Sequence, residues 1–174
     1  EHLIGLGHRR IGMVTETDEV STARDRLTGY RDALEGAGIE LDTELVREAS
    51  AIDVDAAHDA TLQLLDLPAP PTAIFSVNNI AVVGVAEAAR ERGVVIPRDL
   101  ALVCFDDIDH ASRFHPFLTV MAQPAETFGT IAMQLLLDRL SGRMNEDGRT
   151  VVLPGELLVR PSAPAVSQEL TGAR

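Results

Sequence analysis

The chain has a single cysteine, Cys104, which excludes an internal disulfide framework and is compatible with a reducing cytoplasm. Cys104 stands inside an apolar run, where an inert buried thiol is expected rather than a nucleophile. There is no Trp, one Tyr and five Phe, so the 45% apolar content rests on Ala, Val, Leu and Ile, as in an α/β globule. No apolar run approaches the roughly 20 residues of a membrane span. The first residues also lack the basic flank, apolar centre and small-residue cleavage site of a signal peptide. Basic residues are scarce, 15 against 27 acidic ones for a formal charge of −12, and no basic cluster is longer than Arg9-Arg10. Such a segment is not expected to bind DNA or RNA by itself, because it cannot neutralise a run of phosphates.

Enzymatic motifs are missing too. There is no G-x-S-x-G elbow, no P-loop, and no Cys/His pair placed for nucleophilic work. Gly5 and Gly7 have the wrong spacing for a dinucleotide fingerprint and precede a strand rather than follow one. No enzymatic activity is expected.

What the chain does have is a strand, a helix and a strand in one run, from Pro71 to Asp107. Ala73, Ile74, Phe75 and Val77 form an apolar run of strand length. From Ile80 the period becomes helical, with Val82, Val83, Ala86 and Ala89 recurring, Gly93 suited to the left-handed C-terminal position and Pro97 forbidding continuation. Leu100 to Phe105 is a second apolar run without polar alternation, the pattern of a strand covered on both faces. The unit is βαβ, so both strands point the same way. In such a sheet the ligand crevice lies outside the carboxyl ends of the strands. Asn78 and Asn79 follow one strand, Asp106 and Asp107 the other, and amides beside carboxylates suit the vicinal hydroxyls of a sugar or nucleoside. Spacing alone leaves a second reading open, in which Asn78 or Asn79 caps the helix and Asp106 opens a turn.

The 174 residues suffice for one domain, or one and a part. HLIGLGHRRIG reads as the last turns of a helix broken at Gly5 or Gly7, which suggests a piece of a longer chain. Ile11, Met13 and Val14 supply a first strand. Ser21 or Thr22 is expected to cap a helix carrying Ala23, Leu27, Tyr30, Leu34 and Ala37 on one face. On that helix Arg26 lies one turn after Thr22 and can either reach the crevice or pair with Asp25. Leu45 to Glu48 is a short strand, and a helix begins near Asp53. The stretch Asp106, Asp107, Asp109 and His110 raises a metal site. It lacks the Gly and terminal Glu of a calcium loop and a second His/Cys pair for zinc, so no metal is expected. Leu118, Val120 and Ala122 alternate as a strand, and Phe128 to Leu140 is a long helix stopped at Gly142. VVLPGELLVRP reads as two short strands broken at Pro154-Gly155, followed by a frayed tail from Ser162.

In order along nearly the whole chain, HLIGLGHRRIGMV, STARDRLTGYRDALEGAGI, PTAIFSVNNIAVVGV, IPRDLALVCFDDID, PFLTVMAQPAETFG and LPGELLVRPS resemble the effector-binding module of LacI/GalR-type bacterial transcriptional repressors. The resemblance implies an α/β fold of the periplasmic binding protein-like I kind, with a Rossmann-like parallel sheet, helices on both faces, and ligand held between two subdomains. It implies that residues 1–122 and 150–163 are the C-terminal subdomain, 123–149 a crossover and helix belonging to the N-terminal one, and 164–174 a tail. The DNA-binding headpiece would lie outside this chain.

The family's effector contacts match Arg26, Asn78, Asp106 and Gln123 here, with Thr22 one turn before Arg26. Two positions depart from the pattern. Asn79 replaces a frequent Asp, and Ile52 stands where a stacking aromatic often lines the cleft. The implied function is effector sensing by a cytoplasmic, homodimeric repressor that reaches operator DNA through an upstream helix-turn-helix. It would take a small polar effector and use no cofactor or membrane. The alternative is a solute-binding protein of a sugar uptake system. As a lone subdomain, the chain would expose the Phe128/Ile131/Leu135 face of its long helix or bury it in another copy.

Overall fold

The computed structural model describes residues 1–17, 19–50, 53–107, 117–143 and 148–166. Its first strand is β1 (Ile11–Thr15), five residues all buried, as a strand covered on both faces must be. Around it β2 (Val46–Glu48), β3 (Ala73–Ser76), β4 (Ala101–Phe105), β5 (Thr119–Ala122) and β6 (Glu156–Leu158) form one sheet in the order β2-β1-β3-β4-β5-β6. Every pairing is parallel except the last, where β6 runs antiparallel to β5.

Strand alternation sorts the core into two layers. Ile11, Met13, Ala73, Ala101 and Val103 face α1 (His2–Gly5) and α2 (Ser21–Gly36), where Tyr30 and Leu34 meet them. Val14, Ile74, Leu102 and Cys104 face the opposite way, toward α3 (Val54–Leu65) and α4 (Ala81–Glu91), whose Ala57, Leu64, Val82, Val85 and Ala89 complete that layer. Each fully buried Leu or Ile contributes about 1.5–3 kcal/mol of transfer free energy. The last helix, α5 (Ala125–Leu140), has no buried residue and joins neither layer.

The expected elements are present, with local differences. Neither Ser21 nor Thr22 caps α2. The helix begins at Ser21, Val20 holds the N-cap position with an extended backbone, and no side chain closes the end. Asp53 does cap α3, accepting from the amides of Asp55 and Ala56. On α4 the buried face is Ala81, Val82, Gly84, Val85, Ala88 and Ala89, while Val83 and Ala86 point outward. Ala37, expected on the apolar face of α2, is exposed. Residues 151–153 form no strand, so VVLPGELLVRP supplies β6 alone. The tail is anchored at its start, because Ser162 Oγ donates to the Leu102 carbonyl at 2.6 Å and accepts from the Thr119 amide at 2.7 Å. Gly93 takes the left-handed position after α4, at φ 68°.

Two contacts fix the outer layers. A Cβ on Gly84 would collide with the Val54 carbonyl oxygen and lie 2.7 Å from the His58 amide nitrogen, so α3 and α4 pack backbone to backbone there. His8 is buried, with Nδ1 2.9 Å from the Thr72 hydroxyl and Nε2 3.1 Å from the Pro164 carbonyl. A carbonyl only accepts, so Nε2 carries a proton.

Gly84→Ala will destabilise the chain by about 1–3 kcal/mol in denaturant unfolding, although helix propensity alone favours Ala by about 1 kcal/mol. Burial lowers the His8 pKa from 6.5, outweighing the Pro164 hydrogen bond that raises it. The unfolded state therefore binds the proton more readily, so this contribution is present above that value and is lost as pH falls below it. His58, held by Asp59 and then Glu91, shifts upward and has the opposite slope. Comparing the parent with His8→Gln isolates the first effect. The unfolding midpoint of the parent will fall more steeply between about pH 7 and about pH 5.5.

Candidate functional site

The strand order reverses direction between β1 and β3, which places the crevice of an open parallel sheet at their carboxyl ends. Arg26, on the second turn of α2, reaches across that edge. Its Nη1 donates to the Val77 carbonyl at 2.9 Å, and its guanidinium lies 4.0 Å from the centroid of the Phe105 ring. The partners of Arg26 are thus a carbonyl and a ring rather than the neighbouring Asp25. A guanidinium stacked on a ring keeps its in-plane donors directed outward while the ring screens one face.

Asp106 follows Phe105 at the tip of β4. Its φ of 73° makes it, among the described residues, the non-glycine with left-handed backbone. Aspartate tolerates that region better than most residues, because its short side chain can bond locally. Its amide donates to the Met121 carbonyl at 3.0 Å, and its Oδ1 accepts from Gln123 Nε2 at 2.5 Å. The left-handed turn therefore projects a carboxylate beside the point where β5 leaves the sheet. Asp107 turns the other way, into a bidentate pair with Arg160 at 2.8 and 2.7 Å. That partner raises the Arg160 pKa.

Asn78 follows the capping reading. It is buried, and its Oδ1 accepts from the amides of Ile80 at 3.0 Å and Ala81 at 2.7 Å, opening α4. Asn79 is exposed and links the two strand tips through a 3.4 Å bond from its Nδ2 to the Asp107 carbonyl. Thr22 is exposed on the first turn of α2, one turn before Arg26. The structure thus brings Arg26, Asn78, Asp106 and Gln123 to one edge. Ile52, Asp109 and His110 lie outside the described residues.

Two residues of this edge carry no sequence signal of their own, and a third carries a weak one. Phe105 reads as one more strand residue, yet it is the platform for Arg26. Thr15, at the end of β1, has a buried hydroxyl without a hydrogen-bond partner. Arg160 had a weak signal, since a cation inside the apolar run ELLVRP needs an acid. A groove of about 560 Å³ runs from Arg26 and Phe105 under α2, past Tyr30, Phe75, Val103 and Met121.

Chemically the edge offers a carboxylate acceptor, a guanidinium donor, an amide and an aromatic face, a set suited to a hydroxylated ligand. It offers no activated thiol. Burial, the largest cause, and then Asp106 push the Cys104 pKa up, and Sγ donates to the Phe105 carbonyl. Among the described residues no group of three or more His, Cys, Asp or Glu is placed to hold a metal ion.

The periplasmic binding protein-like domain matches residues 1–163. The chain is 36% identical over 165 residues to the HTH-type transcriptional repressor CytR of Escherichia coli K12, covering 95% of this chain and 48% of that protein. It is likewise 36% identical over 160 residues to the ribose operon repressor of Haemophilus influenzae, covering 92% and 48%. It therefore spans about half the length of the repressors it matches. A LacI-family regulatory protein from Chloroflexus aggregans superposes with a TM-score of 0.84 at 34% identity, over 92% of this chain and 57% of that one. A LacI-family regulator from Enterococcus faecium with bound ribose gives a TM-score of 0.83 at 28% identity, over 95% and 60%.

The capping role of Asn78 has a direct check by thermal or denaturant unfolding. Asn78→Ala will cost about 1 kcal/mol, while Asn78→Asp, which keeps the acceptor, will stay within about 0.5 kcal/mol of the parent.

Proposed function

Because the chain belongs to the periplasmic binding protein-like family, and within it to the sensor part of LacI/GalR-type regulators, we propose that it senses a small hydroxylated effector for a transcriptional repressor. The effector, a sugar or nucleoside, sits at the carboxyl edge of the sheet and is closed over by a second subdomain. Asp106 and Arg26 hold its hydroxyls, Gln123 completes the polar set, and Thr22 and Ile52 frame the opening. Asn78 shapes the floor by fixing the start of α4. Closure alters the geometry of a homodimer and so the affinity of a helix-turn-helix headpiece for its operator, in the cytoplasm. Couplings of this kind are typically about 1–3 kcal/mol.

The observation that carries this reading is the convergence of Arg26, Phe105, Asp106 and Gln123, drawn from one helix and two strand ends, at the edge where open parallel sheets bind ligands. Sugar as the ligand class is supported by the ribose bound in the Enterococcus faecium regulator. The regulator reading is favoured over an uptake protein because the similar proteins named above are repressors and regulators.

The proposed division of the chain has support in α5. It joins neither core layer, and Met133, Leu136, Leu137 and Leu140 are exposed on it, as for a helix whose packing surface lies in another lobe.

Calorimetry on the full-length protein with D-ribose, cellobiose, cytidine and adenosine tests the assignment. Arg26→Ala and Asp106→Ala will each weaken the best ligand by about 1.5–3 kcal/mol, the range for hydrogen bonds to charged groups. Equal affinity in parent and both variants would remove the site from this edge.

A further inference from the structure

We propose that Arg160 is a positioning residue for the effector site, acting through Asp107 to hold the turn that presents Asp106. The inference rests on the reading that Asp106 meets the effector. Asp106 keeps a left-handed backbone, uncommon for a non-glycine residue even though aspartate tolerates it, and the contacts on either side hold it there. On one side the turn is tied by the Asp106 amide to the Met121 carbonyl. On the other, Asp107 is gripped by both guanidinium nitrogens of Arg160, with the two side chains only 18% and 14% exposed.

Arg160 is itself immobilised. Its Nη1 also donates to the Leu118 carbonyl at 3.1 Å, its amide donates to Thr119 Oγ1 at 2.9 Å, and its carbonyl accepts from that hydroxyl at 2.7 Å. A planar fork fixed at so many points transmits position, which a mobile ammonium could not do.

The two adjacent carboxylates therefore hold different segments. Asp106 binds Gln123, just where the chain leaves β5 for α5, and Asp107 binds Arg160, two residues after β6 returns. Arg160 thus couples the returning segment to the carboxylate that the effector would engage. A purely structural ion pair would stabilise the same turn without this dependence.

The test has two arms. On the full-length protein, calorimetry with D-ribose compares Arg160→Met, Arg160→Lys, Asp106→Ala and the double variant Asp106→Ala/Arg160→Met. A positioning role gives a loss of about tenfold or more for Arg160→Met, with Lys failing to restore the parent value. It gives no further loss when Arg160→Met is added to Asp106→Ala, because the residue acts through that carboxylate. Additive losses, or parent-like binding by Arg160→Met while Asp106→Ala fails, overturn it.

If D-ribose does not bind, or Asp106→Ala binds it like the parent, the site reading is at fault and the second arm decides. Amide exchange in the same variants follows Asp106 N–H, bonded to Met121, against Val77 N–H, bonded to the Val14 carbonyl. Arg160→Met must lower protection at Asp106 by about tenfold relative to Val77. Equal change at both amides, or none, refutes the positioning role without reference to any ligand.

Discussion

Parallel strands cannot be joined by a hairpin; each must be followed by a crossover that returns the chain to the starting edge. The five parallel strands here obey that constraint, and it aligns their carboxyl ends along one side of the sheet. The crossovers α2, α3 and α4 cover both faces, so residues distant in sequence share an edge without any local signal that they should. Arg26 and Phe105 meet in this way, as do Asp107 and Arg160. The close contact of α3 and α4 at Gly84 belongs to the same constraint. Two crossovers on one face of a short sheet leave room only if their backbones approach closely.

The electrostatics of the chain separate into two kinds. Most ion pairs, such as Arg92 with Asp66 and Arg98 with Asp99, are exposed, and pairs of that sort are worth little to stability. The Asp107–Arg160 pair is different because it is bidentate, mostly shielded and surrounded by further hydrogen bonds. Its geometry therefore constrains the backbone more than its Coulomb energy would suggest. Arg26 is a third case, with a ring in place of a carboxylate partner. In a chain of formal charge −12, a guanidinium without an ion-pair partner among the described residues stands out as an available donor.

The parts legible in the sequence are those with a period or a hard stop. Strands β1, β3 and β4 show as apolar runs, and α2, α3 and α5 as helical repeats closed by glycine or proline. The inner side of α4 was not legible, because Val83 and Ala86 are as apolar as the residues that face the core. The cap of α2 was misplaced for a related reason. Ser21 and Thr22 are good capping residues, but the helix starts at the first of them, so neither can occupy the N-cap.

VVLPGELLVRP suggested two strands by composition, yet β6 is an edge strand that needs partners only along Val120 to Ala122, and Pro154 has no amide to give. At the site, Arg26, Asp106 and Gln123 were picked out by family resemblance, and their meeting is a property of the fold. Asn78 fits either reading by spacing, and its oxygen, serving two amides of α4, selects the cap.

The helix α5 shows why the edge matters beyond ligand contact. An isolated helix of its 16 residues is marginal in water, and most helical stability comes from burying one face. Yet α5 buries no residue, although Glu126, Thr130, Gln134 and Asp138 recur every fourth residue along one flank and leave the rest of its surface mostly apolar. Phe128 is 39% exposed and Leu140 75%, while Ile131 and Leu135, the expected open face, are half-covered. A helix with so broad an apolar face is built to pack against another surface. The chain passes from β5 into α5 through Gln123, which is bonded to Asp106. On the proposed reading, a ligand that engages Asp106 shares that carboxylate with the side chain at the entrance to α5.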